Sequence, residues 1–232
     1  MKPYTVLCLL IIGLACAPAQ RPAGQATGAP ARRLPIAVDR SEAEIRAFEA
    51  SDRAAPPPTG GIVFLGSSSI RLWPSLATDF PGLPVLNRGF GGSTLPEATH
   101  YLSRVVLPHR PRTIVLYEGD NDLTFDWGPQ QVAADYSRFV RMVRGALPGT
   151  RIVFISVKPS PSRWRLVDQQ RELNRLVREI AARDTLQTFV DVFTPMLGAN
   201  GRPRPELFLA DSLHMTPAGY AVWREQLAPH LR

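Results

Sequence analysis

A serine stands two residues after a glycine in Gly66-Ser67-Ser68, at the close of the apolar run Phe64-Leu65. That is the position at which a strand turning sharply into a helix presents a hydroxyl. Far downstream, Asp211 and His214 lie three residues apart, a spacing that lets the carboxylate accept from one imidazole nitrogen while the other faces a serine. A hydroxyl, a base to take its proton and a carboxylate to orient the base are the parts of nucleophilic acyl transfer. Ser67 and Ser69 carry the same chemistry, and the distance from Gly66 selects Ser68. Two further turns close apolar runs: Asn87-Arg88-Gly89-Phe90-Gly91-Gly92-Ser93-Thr94 and Gly119-Asp120-Asn121-Asp122. Gly92 can offer a backbone N–H without crowding a substrate, and Asn121 a side-chain amide, to a developing oxyanion. Each motif alone also reads as turn or capping chemistry. Their joint occurrence points to a serine hydrolase.

Other chemistries find less support. His100, His109 and His230 have no partner comparable to Asp211, read as surface residues, and complete no metal-binding spacing. Asp120 and Asp122 hint at a calcium loop, but Phe125 occupies the place of its obligatory glycine. No Walker lysine or dinucleotide fingerprint is present, so neither metal nor cofactor is expected. The formal net charge of +7 rests almost wholly on arginine, Lys2 and Lys158 being the only lysines. The arginines are scattered, with no basic run interleaved with aromatics, so nucleic acid is not an expected partner.

The elements that must position these residues alternate between short β-branched runs and longer amphipathic stretches. Strands are expected at residues 62–65, 85–87, 113–117, 151–157 and 188–192. Val132, Tyr136, Phe139, Val140 and Val143 recur at helical spacing, as do Leu173, Leu176, Val177 and Ile180. A first helix over residues 41–51 takes Ser41 as N-cap, with Glu44 completing a capping box, and Pro56-Pro57-Pro58 follows it. A last helix runs from Pro217, with Thr216 as cap, through Tyr220, Trp223 and Leu227. The expected fold class is α/β: a three-layer α/β/α domain on a central, mostly parallel five-stranded sheet. Its functional turns follow the first three strands and precede the last helix, at the carboxyl edge where such sheets bind ligands.

The 232 residues suit one domain, residues 41–232, behind a leader at 1–19 and a Pro/Ala-rich flexible tether at 20–40. Lys2 followed by an apolar run to Ala15 has the layout of an export signal. Leu14-Ala15-Cys16 resembles a lipobox, with Gly13 where a larger aliphatic residue is usual, and would anchor the chain through acylated Cys16; Ala17-Pro18-Ala19 would instead release it. The expected location is the bacterial cell envelope or the medium, with membrane contact only through Cys16. Both cysteines, Cys8 and Cys16, lie in the leader, so the domain relies on its core without a disulfide.

The four blocks, in the order Ser, Gly, Asn and Asp-His, resemble the SGNH hydrolase superfamily, the GDSL esterases and lipases, over residues 61–232. Gly66-Ser67-Ser68 matches that family's Gly-Asp-Ser, with Ser67 in place of its aspartate; Gly92, Gly119-Asp120-Asn121-Asp122 and Asp211 to His214 match the rest. Gly-Ser-Ser-Ser-Ile-Arg-Leu-Trp and Gly-Asp-Asn-Asp-Leu are similar to the branch related to platelet-activating-factor acetylhydrolase. The resemblance implies a flavodoxin-like fold, Ser68, Asp211 and His214 as catalytic residues, and an oxyanion hole from the backbone N–H groups of Ser68 and Gly92 with the Asn121 side chain. It also implies hydrolysis of a carboxylic ester, with a short acyl group, acetyl first, on a small alcohol, carbohydrate or lipid. Phe90, Leu123, Phe125, Trp127 and Trp164 lie beside motif residues as candidate pocket lining, or as loop anchors packed on the core. Two alternatives stand beside hydrolysis: a surface-tethered module that binds glycan or lipid without cleaving it, and acyl transfer to a carbohydrate by the same residues.

Overall fold

The computed structural model describes Met1 and residues 40–231. The expected leader with Cys8 and Cys16, and all of the expected tether except Arg40, lie outside the described residues. In chain order the regular elements are α1 (Glu42–Ala54), β1 (Ile62–Gly66), α2 (Ser68–Arg71), α3 (Leu76–Asp79), β2 (Val85–Gly89) and α4 (Leu95–Val105). There follow β3 (Thr113–Tyr117), α5 (Asp120–Thr124), α6 (Pro129–Ala146), β4 (Arg151–Ile155), α7 (Val167–Ala181), β5 (Gln187–Val190) and α8 (Pro217–Leu227).

The five strands form one sheet in the order β2-β1-β3-β4-β5, every pairing parallel. Alternation along the strands sends side chains to two separate cores. Val63 and Leu65 of β1, Ile114 and Leu116 of β3, and Ile152 and Phe154 of β4 pack with Ile45 of α1, Leu102 of α4, Tyr136 and Phe139 of α6, and Leu173 and Val177 of α7. Ile62 and Phe64, Val115 and Tyr117, and Val153 and Ile155 face the other way, onto Ile70, Trp73, Phe80 and the α8 residues Tyr220, Trp223 and Leu227. The result is the three-layer α/β/α arrangement. β1 and β3 are buried along their whole length, as central strands of a sheet covered on both faces must be. The chain passes from β1 to β2 on one side and then back to β3 on the other. The crevice at their carboxyl ends is therefore the topological switch point of the sheet.

The expected helices at α6, α7 and α8 are present, and the Thr216 hydroxyl caps α8 by accepting from the Gly219 N–H at 3.3 Å. α1 corrects the expected capping box. Ser41 precedes it without a side-chain cap bond, its hydroxyl buried and unpartnered, because Glu44 instead accepts from the Gly91 N–H at 2.7 Å. A tertiary contact has taken the carboxylate that the local motif needed. β4 stops at Ile155 because the Asn174 side chain, bonding both the N–H and C=O of Val157 at 2.8 and 2.9 Å, draws the chain off the sheet. His109 is not a surface residue. It is buried beside Arg88 and Asp52, and burial together with the Arg88 charge lowers its pKa.

The short α2 is fixed between its neighbours. The Asn87 side chain donates to the Ile70 carbonyl at 2.7 Å and accepts from the Gly89 N–H at 2.9 Å, and Tyr220 donates to the Ser69 carbonyl at 3.1 Å. A Cβ at Gly89 would stand 2.2 Å from the Arg71 backbone nitrogen and 2.8 Å from its Cα. β2 thus lies flush against the backbone of α2. Gly89→Ala is expected to destabilise the fold by about 1–3 kcal/mol, the usual cost of overpacking, as a lower urea midpoint at unchanged m. An unchanged midpoint would mean that α2 is free to move aside.

Candidate active site

Gly66 ends β1 in register with Gly89 of β2 and Tyr117 of β3, so the turns after these three strands leave the sheet at one level. The first carries the three serines. Ser67 and Ser69 are each 3% exposed and face the protein interior, whereas Ser68, first residue of α2, is half-buried and open to the crevice. Its Oγ lies 2.9 Å from His214 Nε2. His214 Nδ1 lies 2.6 Å from Asp211 Oδ2. A carboxylate can only accept, so Nδ1 carries the proton and Nε2 turns its lone pair toward the Ser68 hydroxyl.

Asp211 is held by its own turn. Its Oδ1 accepts from the Leu213 and His214 backbone N–H groups, both at 2.9 Å, while Ser212 takes a left-handed conformation at φ 58°. The hydrogen bond from His214, aided by those backbone donors, holds the Asp211 carboxyl down to about 2. The side chains of Asp211 and His214 are 48% and 23% exposed, so this half of the site opens to solvent.

The second and third turns are joined by α5. Asn121 Nδ2 donates to the Ser93 carbonyl at 2.8 Å, and Asp122 accepts from the Leu95 N–H at 3.0 Å and the Gly119 N–H at 3.1 Å. Burial pushes the Asp122 carboxyl up to about 7 against the pull of those N–H groups. Gly92, at the apex of the second turn, has φ 69° and no atom within 4 Å of where a Cβ would stand. Its conformation, and not a neighbouring group, requires glycine there. The Gly92 carbonyl accepts from Arg40 at 2.7 Å, and Arg40 also binds Glu97, which reaches back to the Thr94 N–H at 3.0 Å. Beneath the turn, Ser93 Oγ donates to Glu118 at 2.5 Å. Glu118 is fully buried with its second oxygen unpartnered, and burial with the neighbouring Asp122 pushes its pKa well above the carboxylate range.

A group of charges absent from the sequence-based expectation lies under Asn121. Arg163 donates through Nη2 to Asn121 Oδ1 at 2.9 Å and pairs through Nη1 with Asp120 Oδ2 at 2.8 Å. Buried Lys158 stands 3.4 Å from the same Asp120 oxygen and 3.3 Å from the Tyr117 hydroxyl. Burial alone would raise the Asp120 carboxyl; Lys158 and Arg163 outweigh it and hold Asp120 below its usual value. Burial lowers Lys158, with Asp120 opposing. The one available signal was that Lys158 is the sole lysine beyond Lys2.

The five candidate lining residues divide. Phe90 and Leu123 have no exposed surface and belong to the core, which corrects their reading as pocket walls and makes them loop anchors. Phe125 is 47% exposed, with its ring 5.9 Å from that of half-buried Trp127. Trp164, next to Arg163, is half-buried, with the guanidinium groups of Arg202 and Arg171 at 5.0 and 6.0 Å from its ring. Among the described residues no group of three or more His, Cys, Asp and Glu side chains is arranged to hold a metal ion.

The family model described as GDSL-like Lipase/Acylhydrolase matches residues 63–222. By sequence, no curated protein matches the chain. Solved structures with a similar fold include one from Streptococcus pneumonia described by reference to platelet activating factor, 20% identical, with TM-score 0.74 over 84% of this chain and 94% of that one. A GDSL-like lipase from Bacteroides thetaiotaomicron is 19% identical, with TM-score 0.68 over 82% of this chain and 97% of that one. A mutant of Axe2, an acetyl-xylooligosaccharide esterase from Geobacillus, is 16% identical, with TM-score 0.61 over 75% of this chain and 95% of that one.

Proposed function

Since this chain belongs to the GDSL-like lipase/acylhydrolase family and is an ester-cleaving hydrolase, we propose that it is a serine esterase in which Ser68, His214 and Asp211 cleave short-acyl esters, acetyl esters first, of a small alcohol or carbohydrate. The observation that carries this reading is the relay from Ser68 Oγ to His214 Nε2 at 2.9 Å and from Nδ1 to Asp211 at 2.6 Å. Ser68 adds to the ester carbonyl as His214 takes its proton, and Asp211 stabilises the imidazolium without itself becoming protonated. The oxyanion is held by the Ser68 and Gly92 backbone N–H groups and the Asn121 side chain. His214 returns the proton to the departing alcohol. It then draws one from the water that attacks the acyl-enzyme and passes it to Ser68 Oγ as the carboxylic acid leaves.

A short acyl group fits a site whose acid-base half is open to solvent and whose motif blocks are separated by no long insertion. Exposed Phe125, with half-buried Trp127 beside it, supplies aromatic surface next to α5, suited to the apolar face of a sugar ring. The Geobacillus neighbour, an acetyl-xylooligosaccharide esterase, lends the acetyl reading support. Across a p-nitrophenyl ester series from acetyl to long acyl, kcat/KM is expected to peak at acetyl or butyryl and fall beyond. A maximum at long chains would overturn the short-acyl reading. Product analysis with an added sugar alcohol tells water from an alcohol as acceptor.

A further inference from the structure

We infer that Arg163 is a positioning residue that fixes which end of the Asn121 carboxamide faces the reacting carbonyl; this rests on the oxyanion role proposed for Asn121 above. A carboxamide is nearly symmetric in shape, so packing alone does not distinguish its oxygen from its nitrogen. Its neighbours here do. A guanidinium can only donate and a carbonyl can only accept. Arg163 Nη2, at 2.9 Å, therefore requires the Asn121 oxygen, and the Ser93 carbonyl, at 2.8 Å, requires its nitrogen. In this orientation one N–H of Asn121 is spent on Ser93 and the other is left to donate. Turned about, the side chain would set an oxygen against an oxygen and N–H against N–H, and would meet a developing oxyanion with lone pairs.

Arg163 is itself held for this purpose. Its second nitrogen is paired to Asp120 at 2.8 Å, and its side chain is only 16% exposed. Asp120 in turn takes contacts from Lys158 and from Gln170 at 3.3 Å. Arg163 belongs to the 3-10 segment Pro161–Leu166, in which the neighbouring Ser162 N–H donates to the Ser212 carbonyl at 3.1 Å. Ser212 lies inside the Asp211–His214 turn. One short segment thus ties the oxyanion donor to the acid-base pair. The positive charge on the amide oxygen also polarises the remaining Asn121 N–H, strengthening it as a donor.

The test is a double-mutant cycle on kcat and KM for p-nitrophenyl acetate, with wild type, R163M, N121A and N121A/R163M, each checked for fold by circular dichroism. By the usual loss on removing one oxyanion donor, N121A is expected to lower kcat about a hundredfold. R163M, which leaves that donor in place but misdirected, is expected to lower kcat by roughly ten- to a hundredfold with KM changed less than about twofold. In the N121A background R163M is expected to cost less than about threefold, because the group through which it acts is gone. R163K keeps the charge but cannot fork between Asn121 and Asp120; it is expected to fall between wild type and R163M, and it replaces R163M in the cycle if R163M does not fold. An R163M loss that is as large in N121A as in wild type, or no loss at all, overturns the role assigned to Arg163. Full turnover by N121A overturns the oxyanion role on which it rests.

Discussion

Ser68→Ala is expected to lower kcat for p-nitrophenyl acetate by about six orders of magnitude, to the level of folded protein without a nucleophile. The size of the loss follows from the absence of a substitute. Ser67 and Ser69 bracket Ser68 but are each 3% exposed, and it is Ser68 whose hydroxyl lies 2.9 Å from His214 Nε2. A change from hydroxyl to hydrogen at a half-buried helix start leaves α2 intact, because its fixing bonds involve Asn87, Gly89 and Tyr220 and not the Ser68 side chain. The thermal midpoint is therefore expected to stay near wild type while a fluorophosphonate probe no longer adds mass to the protein. Adding His214→Ala to Ser68→Ala is expected to cost little more, since both remove the same step. Wild-type turnover by the alanine variant would move the nucleophile elsewhere.

Asp211→Asn is expected to lower kcat by about ten-thousandfold, the magnitude of losing the correct imidazole tautomer. Asparagine keeps an oxygen for the Leu213 and His214 backbone N–H groups, so the turn is preserved. Its amide then points a donor at Nδ1. The ring proton moves to Nε2, which then donates to Ser68 Oγ across the 2.9 Å gap and has no lone pair left to take the hydroxyl proton. The wild-type carboxylate is available to the relay at every working pH. With the Asp211 carboxyl held down to about 2, its charge is present at every pH above that value and is lost only as pH falls through it. Mild acidification does not neutralise Asp211. A variant keeping a tenth of wild-type turnover would remove the carboxylate from the relay.

What the sequence makes legible is local. The five strands alternate or run apolar as two-faced and buried strands must, and α6, α7 and α8 announce themselves by period or cap. The Asp211 and His214 spacing encodes a turn that closes on itself. α4 is not among the expected helices, although Thr94 and Glu97 stand at capping-box spacing and do form that contact. Ser41 and Glu44 show the opposite case: the same spacing without the contact, because Gly91, remote in sequence, competes for the carboxylate. Arg163 and Lys158 have no period and no short-range partner; their roles arise from contacts to Asn121 and Asp120 about forty residues away. His109 was misread for the same reason, its partners being Asp52 and Arg88.

Adjacent residues of α5 stitch the second and third turns together, Asn121 through Ser93 and Asp122 through Leu95 and Gly119. The rim that follows, with Phe125 exposed and Asp126 in a left-handed conformation, shares none of these bonds. For directed evolution this divides the molecule into a part that tolerates no trial and a part that invites it. Phe125 and Asp126 can be varied to alter the rim, while residues 119–122 keep the bonds that join the two turns.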